Sequence, residues 1–286
     1  MRQALLWATW FVLSGCCSDG HHAKEPVVTE KPVTDCESAQ EFKTTMTYLR
    51  AAKEMKLAEP VMRTVALGVA SGCTGAAGRF IAVTELLKKS GLDSASAIEI
   101  GGQAAQRSDG AAEAFSSIFK RAFLKSYLDL DIADALRLAR KLSLDYTGSP
   151  ATAQDDFAGL VHFCQEPRHL NLPKPACAKL AARIAAYGEG AEHSANAEAF
   201  ITAFDFLTED DGPHLTTADA IIIAEALVAV SPFAVDNFQQ AFTYAVAPSG
   251  LKMERGEAVR FAQQVAKRST GTLGPVQKGT LFLDGT

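Results

Sequence analysis

Leu130 to Ser143 reads LDIADALRLARKLS, and the spacing of its apolar residues is that of a helix. A large residue, Leu138, is followed by a small one, Ala139, with a second small residue, Ala135, one turn before it. The same phase returns five more times. Aligned on Leu or Met, the copies are LAEPVMRTVALGVA from Leu57, LDSASAIEIGGQAA from Leu92, LPKPACAKLAARIA from Leu172, LTTADAIIIAEALV from Leu215 and MERGEAVRFAQQVA from Met253. Starts lie 35, 38, 42, 43 and 38 residues apart. The large position is Val65, Ile100, Leu138, Leu180, Ile223 and Phe261, and the small one after it is Ala66, Gly101, Ala139, Ala181, Ala224 and Ala262. Ala97, Ala135, Cys177, Ala220 and Ala258 repeat the second small site in the last five copies. Two small residues stacked on one face let a neighbouring helix come close.

A phenylalanine precedes each start. It stands 15 residues ahead at Phe42, Phe115, Phe157, Phe200 and Phe238, and 12 ahead at Phe80. Four residues before it sits a small side chain, as at Ala76, Ala111, Ala153 and Ala234, and three after it an aliphatic or small one, as at Val83, Ile118, Leu160 and Ala241. Ser38, Phe42 and Thr45 form a weaker opening copy, read as a lone first helix leading into Leu57. Helices of the two types alternate, so twelve are expected, with the Phe-to-Leu interval as the junction between one hairpin and the next. The short interval, Phe80 to Leu92, is where stacking should be least regular. Ser149-Pro150, Ser231-Pro232, Thr216 with Asp219, and Asp131 with Asp134 have the form of helix starts.

The small-x-x-x-Phe pattern, with the large-then-small pair, resembles a degenerate tetratricopeptide repeat. The units exceed that family's 34 residues, no Trp marks the first helix, and the closing proline is absent or displaced to Pro167 and Pro248. HEAT-like repeats share the unit length. Either resemblance implies an all-α fold, a right-handed α-solenoid of about twelve antiparallel helices, over residues 37–269. A fold of this kind hosts unrelated activities, so it names no ligand.

At the N-terminus Arg2 and the apolar stretch Ala4 to Leu13 lead into Leu13-Ser14-Gly15-Cys16. The stretch is too short to span a bilayer and reads as the core of a signal peptide over residues 1–15. Its ending resembles the bacterial lipoprotein box, which implies that Cys16 becomes a lipid-modified (palmitate-type) first residue. The second residue of such a mature chain is not Asp, and by the same resemblance that favours the outer membrane, facing the periplasm or the cell surface. Residues 16–36 then form the lipidated Cys and a polar tether, whose roughly 18 residues would reach about 20–25 Å if flexible. Residues 270–286 form a tail that either caps the stack or stays loose.

Composition excludes some partners. Without Arg2 the chain has 27 basic and 33 acidic residues, a net charge of about −6, which argues against nucleic acid. Glu209-Asp210-Asp211 is the densest acidic run and reads as a solvated helix end. Two disulfides are expected in an exported chain. Cys164 and Cys177 lie symmetrically about the loop EPRHLNLPKP, and Cys36 and Cys73 about the turn KEMK. The alternative, suggested by Cys177 alone, is a buried cysteine in place of alanine.

Catalytic motifs are not found. GCTGAAGR from Gly72 lacks the Gly-Lys-Ser/Thr ending of a phosphate loop, and no Gly-x-Ser-x-Gly, His-Glu-x-x-His or paired CxxC is present. His21-His22 reads as solvated and His162, His169, His193 and His214 are scattered, so neither metal nor cofactor is expected. Asp155 and Asp156 could serve a groove enzyme but are explained more simply by the helix dipole. Some periplasmic lytic transglycosylases carry a helical superhelix beside a lysozyme-like catalytic domain, and because the expected solenoid uses almost the whole mature chain, no such domain is expected here. The expectation is a membrane-anchored scaffold, not an enzyme, that holds a protein or peptide. The alternatives are a groove enzyme or receptor for cell-wall glycan or peptide, and an inhibitor or self-protection protein.

Overall fold

Six of the helix starts are set by a neighbouring side chain that supplies the backbone with an acceptor. Asp93, Ser108, Asp131, Ser149 and Thr216 accept from Ser96 N (3.0 Å), Ala111 N (3.2 Å), Asp134 N (2.8 Å), Thr152 N (3.4 Å) and Asp219 N (3.2 Å). Ser231 accepts from Ala234 N at 3.2 Å. The computed structural model describes residues 38–187 and 195–268. Among them are twelve α-helices and no strand: α1 Ser38–Ala51, α2 Glu59–Ala70, α3 Ala76–Lys89, α4 Ser94–Ala105, α5 Asp109–Phe123, α6 Ile132–Leu142, α7 Pro150–Gln165, α8 Lys174–Ala186, α9 Asn196–Thr208, α10 Thr217–Val230, α11 Phe233–Val246 and α12 Arg255–Lys267. The all-α expectation holds.

The closest pairs are α1 with α2, α3 with α4, α5 with α6, and so on to α11 with α12. Beyond its hairpin partner, a helix packs on the helices two positions away in the chain, odd on odd and even on even, and the second helix of each hairpin also touches the first helix of the next. This connectivity is that of hairpins stacked in two layers. It also corrects the expected unit. The Phe-to-Leu interval lies inside a hairpin and not between hairpins, and α1 is paired, not alone. The reason is visible in the backbone. The signature Leu or Met N–H donates to the carbonyl seven residues after the Phe: Leu130 to Ala122 (2.9 Å), Leu172 to Cys164 (3.1 Å), Leu215 to Leu207 (2.8 Å) and Met253 to Ala245 (2.8 Å). In the short copy Leu92 N reaches Leu87 O at 3.1 Å, again seven after Phe80. The residue before the signature position is left-handed in all six hairpins: Lys56, Gly91, Asp129, Asn171, His214 and Lys252. A fixed closure therefore fixes the interval.

The buried faces follow the repeat. Phe80, Phe115, Phe157, Phe200 and Phe238 are fully buried, and so are Ala97, Ala135, Cys177, Ala220 and Ala258 opposite them. Phe42 in the weaker first copy is only half-buried. At Gly101 a Cβ would overlap the Thr84 hydroxyl and stand 3.1 Å from the Phe80 carbonyl, so α4 lies against α3 more closely than a side chain allows. The core divides here. Phe80 and Ile98 pack with α1 and α2, whereas Val83, Leu87 and Ile100 belong to the larger core running on to α12.

A second rule links the odd helices. Where it is charged, the residue before the signature Phe bonds to the start of the next odd helix. Glu41 is buried and accepts from Gly75 N (2.9 Å) and Ala77 N (2.6 Å) at the start of α3, and Asp156 accepts from Ala197 N (3.0 Å) at the start of α9. These two starts, preceded by Gly75 and Ala195, have no side-chain cap of their own. Helices α5, α7 and α11 carry Ser108, Ser149 and Ser231, and the corresponding residues are Arg79, Ala114 and Ala199. Caps are supplied from one place or the other. Asp156 thus belongs to the second turn of α7 and serves another helix, not its own dipole.

Cys164 and Cys177 form a disulfide across the α7–α8 hairpin, with Cα atoms 5.7 Å apart. Cys36 lies outside the described residues, and with it the pair Cys36–Cys73. The Cys164–Cys177 link closes a 13-residue separation, so its loss should lower stability by about 3 kcal/mol. Because alanine is the repeat residue at position 177, the double variant Cys164→Ala, Cys177→Ala loses the link with little loss of packing. Its denaturation midpoint should match that of the reduced protein and lie below that of the oxidised one.

Candidate functional site

Helices α3 and α5 are the least closely packed neighbours in the odd layer, whereas α5 lies firmly on α7. Between them runs a groove of about 750 Å³. Gly75, Gly78, Ala82 and Leu86 line it from α3 at helical spacing, facing Ala112, Ser116, Lys120 and Leu124 on the α5 side. Small residues elsewhere in the stack admit a neighbouring helix. Here they do not: a Cβ at Gly78 would meet nothing within 4 Å.

Arg79 closes the N-terminal end. Its side chain is 10% exposed and donates to Gly72 O (3.1 Å), Thr74 O (3.1 Å), Ala105 O (2.8 Å) and Asp109 Oδ1 (2.6 Å). One guanidinium thus fastens the α2–α3 turn to the end of α4 and the start of α5. Asp109 remains 77% exposed. At the other end stand Lys120 and Arg121, neither of them in an ion pair among the described residues. The Arg121 guanidinium lies 5.4 Å from the centre of the Tyr127 ring. Glu113 is exposed between the two ends. The groove is therefore neutralised at one end and cationic at the other.

Acid–base machinery is not assembled in it. The carboxylates of the lining are Asp109 and Glu113, both exposed and on one helix, with no buried facing pair among the described residues. Asp156 is buried but capped onto Ala197, and Asp155 is exposed. Burial pushes the Asp205 carboxyl above its ordinary range, with the His169 charge opposing. That residue lies on α9, outside the groove lining. Glu166 bridges His162 (3.2 Å) and His169 (3.0 Å), and Asp210 meets His214 at 3.2 Å. No group of three or more metal-ligating side chains is gathered among the described residues. Cys16, Cys17, His21, His22 and His193 lie outside the described residues. Comparison with family models, with curated proteins and with solved structures returned no match.

The sequence does hold a trace of the groove. Gly78, two residues after Ala76 in the signature of α3, is a glycine in the first turn of the helix where other copies carry a side chain. Arg79 gave no comparable signal, since its partners come from the α2–α3 turn, the end of α4 and the start of α5.

Proposed function

We propose that the chain is a membrane-anchored scaffold, an outer-membrane lipoprotein of the periplasmic side, whose helical stack holds a protein or peptide partner in envelope assembly or secretion. The groove between α3 and α5 carries this reading: it is open, partly apolar and built without a reacting pair of side chains. Tethering rests on Leu13 to Cys16, and no helix among the described residues is long and apolar enough to cross a membrane. Cys16→Ser should move the protein from the membrane to the soluble fraction, and persistence in the membrane would remove the anchor. Cross-linking in cells should isolate a stoichiometric protein partner. Recovery of glycan in its place would favour the cell-wall reading.

A further inference from the structure

We infer that the α3–α5 groove takes an extended, acidic and partly apolar segment of the partner protein, about six or seven residues long. This rests on the scaffold reading above and names the kind of segment held. Length and the bare floor at Gly78 point to the conformation. The α5 side of the lining runs from Asp109 to Leu124, which at 1.5 Å per residue is about 22 Å. Gly78 and Ala82 leave room for a backbone between the walls, and an extended chain laid there presents alternate side chains to the α3 and α5 sides. At about 3.3 Å per residue, six or seven residues fill the length.

Charge decides the composition. Arg79 and Asp109 satisfy each other, which leaves Glu113 near the middle and Lys120 with Arg121 at the end. A carboxylate in the segment meets the two cations, with an apolar neighbour over the exposed Leu124 and Tyr127. The segment's backbone passes Gly78 and Ala82, where no side chain stands in its way. Complementarity of this sort sets partner choice, because a basic segment would bring like charges together.

The test has two arms. In the first, purified full-length protein is offered an array of hexapeptides with two positions Asp or Glu and the others Leu, Val, Phe or Ser, beside the same set with Lys for the acids. The acidic set should bind and the Lys set should not. Lys120→Glu with Arg121→Glu should weaken binding about tenfold or more. Gly78→Leu should abolish it while the melting temperature stays level or rises, since leucine has the higher helix propensity. Equal binding of both sets, absence of binding, or indifference to both variants overturns the inference. In the second arm a photo-cross-linker replaces Ser117, in the groove lining, with a control at exposed Ile222. Capture of an acidic segment of another protein at 117 alone is expected. Capture only at 222 leaves a scaffold but removes this site, and capture of residues 270–286 or of a second copy overturns the assignment to a partner.

Discussion

Phe200→Ala should lower the stability of the protein by about 3–5 kcal/mol, the largest effect expected of a single core truncation here. Phe200 is fully buried in α9. The Phe163 ring of α7 meets it edge-on with centroids 6.4 Å apart, and Phe204 stacks beside it at 6.4 Å. Phe163 also meets Phe204 at 5.6 Å, so one ring of α7 is held by two rings of α9. Removal of Phe200 deletes apolar burial and breaks that contact, and the closure through Leu207 and Leu215 leaves the hairpin little freedom to collapse. Position in the stack adds to the effect. Stability in such an array is close to a sum of unit terms and nearest-neighbour terms, and α9 sits between two hairpins. Denaturation followed by circular dichroism should show an earlier and broader transition. Phe42→Ala is the matched control, since the same signature residue is only half-buried at the end of the stack. Its cost should be about 1–2 kcal/mol, without broadening. Equal losses at the two sites would contradict the contact argument.

Much of this arrangement is legible in sequence because it repeats. The large-then-small pair at Leu138 and Ala139 marks a face, and the face is where α6 meets its neighbours. Ser149-Pro150 and Thr216 with Asp219 mark starts, because their hydroxyls satisfy amides that the first turn leaves without an intrahelical acceptor. Cys164 and Cys177 could be paired from the symmetry of one loop. The hairpin boundary could not be placed that way. A constant Phe-to-Leu spacing fits a closure within a hairpin as well as a junction between hairpins, and the choice depends on backbone bonds such as Leu215 N to Leu207 O. One clue was present. Gly91, Asp129, Asn171 and His214, just before the signature residue, are types that tolerate the left-handed conformation. The groove was less accessible still, since it depends on the distance between α3 and α5, which are separated by a whole helix in the chain. Of its parts, Gly78 alone departs visibly from the repeat.

Asp156→Ala tests the rule that odd helices cap one another, and should cost about 2–3 kcal/mol. The carboxylate is buried, and its oxygen accepts from Ala197 N at 3.0 Å. Without it an amide at the start of α9 is left buried and unpaired, and a charge-assisted bond to the positive end of a helix is lost. Asp156→Asn keeps an acceptor oxygen and removes the charge, so it should fall near half that loss. The decisive variant adds Ala195→Ser to Asp156→Ala. Residue 195 precedes α9 as Ser108 and Ser149 precede α5 and α7, where the preceding odd helix offers no carboxylate. A serine there should return about 1 kcal/mol in the Asp156→Ala background and less in the wild type, where the amide is already satisfied. If Ala195→Ser adds the same amount in both backgrounds, the two caps are independent, and Asp156 stabilises α9 through packing. Non-additivity would mean that the stack has two interchangeable ways to begin an odd helix. The Glu41 carboxylate at Gly75 and Ala77 would then be the second instance, fixing the start of the very helix that forms one wall of the groove.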